Sequence, residues 1–78
     1  MNEQEFIENV KKQFMDADDI SLTLDTNFRQ IGSYDSLTGM TIMVMIKDVY
    51  GIELSDSEYK AQKTVANLFD LIKSKING

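Results

Sequence analysis

The chain has no cysteine, no histidine and no proline, and only four of its 78 residues are glycine. Without cysteine, neither a disulfide framework nor a thiolate metal site can form. Without histidine, the chain lacks the usual general base and the commonest nitrogen ligand of metals, and it cannot hold a Ser–His–Asp triad. The lack of proline and scarcity of glycine favour a helical protein over a turn-rich all-β fold.

Basic residues are also scarce, since 8 lysines and arginines face 13 aspartates and glutamates and leave a net charge of −5. A surface of this sign repels nucleic acid phosphates and attracts basic partner proteins. The longest apolar run, Met40 to Ile46, is far shorter than the ~20 residues of a membrane-spanning helix. The N-terminus, MNEQEF, is polar and acidic, unlike a secretory signal. We expect a cytoplasmic protein that binds no nucleic acid and does not insert into membranes.

The length predicts a single domain over residues 1–78, with one small core. Such a core supplies only about 3–5 kcal/mol of net stability, and a deep, enclosed active site is hard to build on it. With no evident carboxylate pair on a concave surface, an enzyme is the least favoured class. Asp18, Asp19 and Asp25 could bind a divalent cation weakly, but their spacing matches no EF-hand loop. We interpret them as a solvated acidic loop and predict no metal site.

Apolar residues recur at helical spacing in the first segment, which we predict to be a helix from about Glu3 to Ala17. Asn2 is its expected N-cap, with Glu5 placed as in a capping box. Its apolar face comprises Phe6, Ile7, Val10, Phe14 and Ala17. A polar stretch from Asp16 to Asp35 follows, which we predict to be a long ordered loop with one helical turn near Phe28 to Ile31.

The second segment, Ser36 to Tyr50, has two possible structures, because the apolar run inside it could form a buried strand. The whole pattern is too long for a typical strand, which favours a helix that ends at Gly51. At about 100° per residue this helix has two faces. The predicted core face comprises Gly39, Ile42, Met43, Ile46, Val49 and Tyr50. The opposite face comprises Leu37, Met40, Thr41, Val44 and Asp48.

Two shorter signals predict the last helices. A capping-box pattern, Ser55 to Glu58, opens a short third helix that runs to about Gln62. Thr64 can cap a fourth helix, whose apolar stripe comprises Val65, Leu68, Phe69, Ile72 and Ile76. The sequence therefore predicts an all-α protein, a small four-helix bundle with a long first loop and a short third helix.

Asp35 and Ser36 lie where the long loop meets the second helix. A phosphate esterified to a serine there is favoured electrostatically, because the first amides of a helix are unpaired and partly positive. The junction also leaves a tethered group exposed on a fixed base. Aspartate and serine are, however, among the best N-cap residues. The Asp35-Ser36-Leu37 triplet alone therefore indicates no more than a helix cap.

The wider context of the triplet resembles a known family. Asp35-Ser36-Leu37, an apolar helix, Tyr50-Gly51-Ile52-Glu53-Leu54 and Lys63-Thr64-Val65 follow in the order typical of acyl carrier proteins, over essentially the whole chain. The resemblance implies a four-helix bundle. It also implies that Ser36 carries 4′-phosphopantetheine, taken from coenzyme A and attached through a phosphodiester, and that Asp35 belongs to the motif that the transferase recognises. The thiol of this arm would hold an acyl group as a thioester.

The resemblance also implies partners: a phosphopantetheinyl transferase (holo-acyl-carrier-protein synthase) and acyl-loading and acyl-processing enzymes, acting on a monomer. In the family, partner enzymes dock on the outer face of the second helix, and we define the outer face by its residues here: Leu37, Met40, Thr41, Val44 and Asp48. Residues 36–50 hold one acid and one base, whereas this helix is usually acidic in the family. Tyr34 before the motif and Gly39 inside the helix also depart from the pattern.

Three alternatives remain open from the sequence. The carrier could serve fatty-acid or polyketide synthesis, or it could carry an aminoacyl or D-alanyl group in a specialised pathway. The cargo hangs on the arm, so the sequence does not decide among these. The chain could instead be an unmodified helical interaction module that uses Ser36 as a cap.

Overall fold

Four α-helices and two short 3₁₀ turns make up the computed structural model, which describes residues 1–77. In chain order the helices are α1 (Glu3–Lys11), α2 (Ser36–Tyr50), α3 (Asp56–Lys60) and α4 (Val65–Asn77). The 3₁₀ turns, Ala17–Asp19 and Phe28–Gln30, lie in the long connection between α1 and α2. Within the described residues the only β-type pairing is an isolated bridge between Asn27 and Thr64. The predicted all-α bundle with a long first loop and a short third helix is confirmed.

The first helix starts as predicted and ends early. The Asn2 side chain accepts a hydrogen bond from the Glu5 amide at 2.9 Å, which caps the helix. The prediction that the helix continues to Ala17 is wrong. The Gln13 side chain donates to the Asn9 carbonyl, while the Gln13 amide turns to Val10 three residues back. The side chain thus takes the carbonyl that the next helical turn needs, and the α-helix stops at Lys11.

The long loop is held against the helices by both side chains and backbone. Phe28 is fully buried, and Ile20, Leu22, Leu24 and Ile31 pack around the core. The amides of Val65 and Ala66 donate to carbonyls of the loop at 3.0 and 2.8 Å. These two bonds satisfy donors that the first turn of a helix leaves unpaired, so they fix the loop and the start of α4 together.

The second helix buries the arc that contains Thr38, Gly39, Ile42, Met45 and Ile46. Its predicted core face is confirmed at Gly39, Ile42 and Ile46, and Gly51 ends the helix in the left-handed conformation with φ of 72°. The prediction that Val49 is a core residue is wrong, because 52% of it is exposed. The last turn of the helix contacts the core through Tyr50 instead, whose ring centre lies 5.7 Å from that of Phe6.

Capping side chains fix the start of both remaining helices, as predicted. Ser55 and Glu58 exchange the two bonds of a capping box, and the Thr64 hydroxyl accepts from the Asn67 amide at 3.1 Å. The third helix ends at Lys60, two residues short of the predicted end, because the Gln62 amide bonds three residues back to Tyr59. The fourth helix buries Val65, Leu68, Phe69 and Ile72, whereas Ile76, the last residue of the predicted apolar stripe, is 48% exposed. No helix within residues 1–77 is long and apolar enough to cross a membrane.

Candidate functional site

Asp35 is the residue that caps α2. Its Oδ1 accepts hydrogen bonds from the Thr38 amide at 2.9 Å and from the Thr38 hydroxyl at 3.0 Å. These bonds, the backbone bond first, lower the pKa of Asp35, so the carboxylate is ionised at the positive end of the helix. The cap role is therefore filled by the aspartate, and the sequence-based alternative in which Ser36 caps the helix is wrong.

Ser36 is the first residue of α2, and its side chain is exposed. Within residues 1–77 no hydrogen bond to its hydroxyl is present, so this hydroxyl has no visible part in holding the fold. It projects from a helix start that Asp35 holds rigidly from the preceding position. An exposed, unengaged hydroxyl at a helix N-terminus is suited to carry a phosphate ester, since the helix dipole favours the negative charge.

Ser36 also lies on the rim of an open pocket of about 450 Å³ between α2 and α3, which we call the motif pocket. Its lining is apolar along α2, where Gly39, Met40 and Met43 face it, and aromatic on the other side, where Tyr34 and Tyr59 face it. The volume falls within the usual range of small-molecule pockets. The sequence did not predict this pocket, because its lining comes from the loop, α2 and α3 together.

Behind the pocket, the hydroxyls of Tyr34 and Tyr59 lie 2.9 Å apart and share a hydrogen bond. Arg29 donates to the Tyr34 hydroxyl at 3.3 Å and to the Gln62 carbonyl at 2.7 Å. It also donates to the Tyr59 carbonyl, and its guanidinium lies 4.6 Å from the centre of the Tyr59 ring. The guanidinium is thereby fixed by carbonyls, a hydroxyl and an aromatic face. This cluster joins the loop to α3 beside the motif.

The outer face predicted from the sequence is brought together on the surface of α2. Leu37, Met40 and Val44 are 65%, 62% and 57% exposed, and they are large apolar side chains. With Thr41 and Asp48 they line a second open pocket of about 470 Å³. The sequence missed three residues of this lining, Gln13, Met45 and Val49. Val49 was assigned to the wrong face of the helix, and Gln13 lies in the turn that follows α1.

Charge is sparse along the same helix. Lys47, its one base, forms an exposed ion pair with Glu53 at 3.2 Å, and Asp48 is its one acid. Elsewhere, the acidic residues Asp18, Asp19 and Asp25 do not form a metal-binding group, since no cluster of three or more potential ligands is found within residues 1–77. The candidate site is therefore the start of α2 with its pocket and its apolar outer face.

Comparison with known families gives this geometry a meaning. Residues 5–72 match the family described as the phosphopantetheine attachment site. The chain belongs to this family of acyl carrier proteins. The match extends from α1 into α4, so it covers the fold as well as the motif. The prediction of the family from the sequence is confirmed.

Curated relatives agree over nearly the full length of the chain. An acyl carrier protein of Petrotoga mobilis is 30% identical over 80 residues, covering 99% of this chain and 94% of the relative. One of Lactobacillus acidophilus is 31% identical and covers 95% of this chain and 96% of the relative. One of Rickettsia canadensis is 33% identical, with coverage of 94% and 84%. A carrier of acyl groups, with covalently attached 4′-phosphopantetheine as its cofactor, is therefore the function of the family to which this chain belongs.

Proposed function

We propose that Ser36 is the attachment point of the arm and that a phosphopantetheinyl transferase joins it there from coenzyme A. The observation that supports this best is that two neighbouring residues have different roles at the start of α2. Asp35 provides the cap, which leaves the Ser36 hydroxyl exposed and without a structural partner within residues 1–77. The motif position and the family match point to the same residue.

Other serines of the chain are less suitable as attachment points. Ser33 donates to Asp16 at 2.6 Å, Ser55 caps α3, and Ser74 donates to a backbone carbonyl of its own helix. Esterification would remove the hydrogen that Ser33 and Ser74 donate, and it would crowd the cap in which the Ser55 oxygen accepts from the Glu58 amide. Ser21 is exposed but lies in the long loop, away from any α-helix start. Ser57 is exposed but lies within the short α3, and its hydroxyl is 3.3 Å from that of Ser55. Ser36 alone among the six serines combines exposure, an unengaged hydroxyl and the N-terminus of a long helix.

When bound, the arm supplies a thiol, which this cysteine-free chain lacks, and an acyl group can be held on it as a thioester. The residues of the chain would do the rest. Ser36 anchors the phosphodiester, the amides of the first turn favour its negative charge, and Asp35 keeps that turn in place. We assign Asp35 a further part in recognition by the transferase, since the residue is exposed beside the motif and its cap bonds use only one of its two carboxylate oxygens.

The partner-binding surface in this proposal is the outer face: Leu37, Met40, Thr41, Val44 and Asp48. Its support is the row of three exposed apolar side chains next to Ser36, of a kind that marks interaction sites. Because residues 36–50 hold one acid and one base, we propose docking that depends more on apolar contact than on charge. The partners would be acyl-loading and acyl-processing enzymes.

The pathway and the state of the protein belong to the same proposal. Residues 1–78 would act as one monomeric carrier domain, without catalysis of its own, in the cytoplasm. The cargo would be an acyl intermediate of fatty-acid, polyketide or related synthesis. An aminoacyl or D-alanyl cargo is the second candidate. The low charge of α2 favours this cargo, because the helix differs in charge from the acidic second helix that is usual in the family.

Intact-mass spectrometry tests the attachment site. The purified chain, incubated with coenzyme A and a phosphopantetheinyl transferase, should gain the mass of one phosphopantetheine group, and fragmentation should place it on Ser36. Ser36→Ala should gain nothing, whereas the matched control Ser21→Ala should be modified like the wild type. Modification of Ser36→Ala, or no modification of the wild type by several transferases, would overturn the proposal.

A further inference from the structure

Met40 borders both pockets of the second helix. It lines the motif pocket, and together with Leu37 and Val44 it also lines the second pocket. Within residues 1–77 it is the one residue that lines both. Four positions separate it from Ser36, so the two residues lie on the same face of α2, about one turn apart. A chemical change at Met40 therefore alters the surface next to the attachment point.

The thioether of Met40 is open to solvent, since the residue is 62% exposed. The chain has five methionines and no cysteine, so thioethers are its only sulfur groups that an oxidant can attack. Their exposures differ widely: Met15 is 91% exposed, Met43 is half-buried and Met45 is only 7% exposed. Because a reagent in solvent must reach the sulfur, the structure predicts that a peroxide oxidises Met15 and Met40 well before Met45.

Oxidation by hydrogen peroxide changes the character of this side chain. The sulfur attacks one peroxide oxygen, the O–O bond breaks, and the proton of the transferred oxygen passes to the other oxygen, which leaves as water. The sulfur thereby loses two electrons to the peroxide and becomes a sulfoxide. A flexible apolar group is thus converted into a polar one with a hydrogen-bond acceptor.

The outer face, as the structure describes it, supplies no side-chain donor for this new oxygen. Leu37 and Val44 are apolar, and the carboxylate of Asp48 is an acceptor. The Thr41 hydroxyl donates its hydrogen to the Thr38 carbonyl at 2.8 Å. In the free protein, water solvates a sulfoxide at this exposed position. When a partner covers the face, that water is displaced, and a polar group buried without a hydrogen bond carries a free-energy penalty.

We propose that Met40 is an oxidation site that regulates docking: a peroxide converts it to the sulfoxide, and the sulfoxide weakens the binding of partner enzymes to the outer face while the fold stays intact. This inference rests on the proposed attachment at Ser36 and on the proposed docking surface. The change is reversible, because methionine sulfoxide reductases remove the oxygen as water and oxidise a dithiol to a disulfide in exchange.

Arm transfer by a phosphopantetheinyl transferase is the test, because an enzyme that reaches Ser36 must cover the adjacent turn that holds Met40. The chain without its arm is treated with hydrogen peroxide, the peroxide is removed, and peptide mass spectrometry measures the sulfoxide at each methionine. Initial rates of phosphopantetheine transfer from coenzyme A are then measured over a range of chain concentrations. We expect KM to rise about tenfold and kcat to change little, since a desolvated polar group weakens binding in the ground state and the transition state alike. An unchanged KM with Met40 fully oxidised would overturn the inference.

Two variants assign the effect to one methionine, each compared with itself before and after peroxide. Met40→Leu keeps an apolar side chain of similar size that peroxide does not oxidise, so its KM should be the same before and after treatment. Met15→Leu removes the more exposed sulfur, outside both pockets, and should show the same rise as the wild type. A full rise in Met40→Leu, or no rise in Met15→Leu, would contradict the inference.

Stability and reversal complete the test. The melting temperature of the oxidised wild type should match that of the untreated chain, and methionine sulfoxide reductases for both epimers, with a dithiol, should restore the KM. A raised KM that appears only with loss of the folded state, or that persists after reduction, would overturn the inference. The two levels of proposal fail differently. If the untreated chain gains no arm, the attachment at Ser36 is wrong, whereas transfer that is insensitive to the Met40 sulfoxide leaves the attachment standing and removes the regulation.

Discussion

The hydroxyl of Tyr34 lies 2.7 Å from the position that a Cβ atom would take on Gly39, closer than real Cβ contacts permit. Glycine inside a helix costs about 1 kcal/mol relative to alanine, and here the missing side chain makes room for a tyrosine from the preceding loop. The tyrosine in turn bonds to Tyr59 of α3 and accepts from Arg29. The contact between Tyr34 and Gly39 therefore links two of the departures from the family pattern that the sequence displays.

We expect Gly39→Ala to destabilise the protein. The clash with the Tyr34 hydroxyl costs about 1–3 kcal/mol as overpacking, which outweighs the roughly 1 kcal/mol that alanine contributes to a helix. In a Tyr34→Phe background the nearest atoms are 3.4 Å or more from the new Cβ, so the same change should become neutral or stabilising. Urea unfolding of the four proteins in this cycle measures the coupling.

Gly32 provides the matched control, because a Cβ there meets nothing within 4 Å. Gly32→Ala should change the free energy of unfolding little in either background. Equal destabilisation by Gly39→Ala with and without the Tyr34 hydroxyl would show that the close contact is not the reason for the glycine.

Glu58 connects α3 to α4 and should make stability depend on pH. Its hydrogen bond to Lys75, first, and its bond to the Ser55 amide lower its pKa from 4.5 to about 2. A carboxylate with a lowered folded-state pKa stabilises the protein above its unfolded pKa, and this contribution is lost as pH falls through the folded pKa. We therefore expect the difference in unfolding free energy between the wild type and Glu58→Gln to shrink from pH 4.5 towards pH 2.

A matched control separates this effect from general acid denaturation. Glu53 pairs with Lys47, but both side chains are more than 60% exposed, so solvent screens the pair. Glu53→Gln should show little pH-dependent difference from the wild type over the same range. A flat difference curve for Glu58→Gln, measured by denaturant unfolding at each pH, would contradict the prediction.

Asp35 should separate stability from modification. Asparagine caps a helix as well as aspartate does, whereas alanine does not. Asp35→Ala should therefore lower the melting temperature, and Asp35→Asn should change it much less. If the carboxylate also contributes to recognition by the transferase, Asp35→Asn should still slow the transfer of phosphopantetheine to Ser36. An unchanged initial rate of transfer, measured by mass spectrometry on folded Asp35→Asn, would show that Asp35 acts only as the helix cap.

Elements with local signals could be predicted from the sequence. The caps at Asn2, Ser55 and Thr64 and the stop at Gly51 are decided by neighbouring side chains, and the structure confirms each of them. The end of α1 could not be predicted, because it depends on a side chain that competes for a carbonyl at position 9. Helical periodicity predicts a buried face along the whole length of a helix, including turns that no other element of the fold covers.

In the candidate site, too, the features with local signals could be predicted and those that depend on distant residues could not. Ser36 and the outer face follow from a motif and from helical spacing, both of which are local. The hydrogen bond between Tyr34 and Tyr59 joins a loop residue to α3 across 25 positions, and Arg29 reaches 33 positions to Gln62. Neither spacing has a recognisable sequence signal. Tyr34 before the motif and Gly39 within the helix were the only hints, and they became meaningful once the structure placed them in contact.

The outer face offers the last prediction, since its apolar side chains are exposed and contribute little to the core. Val44, at 57% exposure, is one of the residues that line the second pocket. Val44→Asp should leave the fold intact, because the new carboxylate stays in solvent. It should weaken the binding of an acyl-processing enzyme, because a charge would be desolvated against an apolar contact.

Ile76→Asp is the matched control, an apolar residue that is 48% exposed near the end of α4 and outside both pockets. Binding should be measured on the phosphopantetheine-loaded protein at two salt concentrations. The wild-type affinity should change little with salt, because the face that docks holds so few charges. Equal loss of binding in both variants, or a steep salt dependence in the wild type, would move the docking surface away from α2 and towards the acidic residues of α1 and its loop.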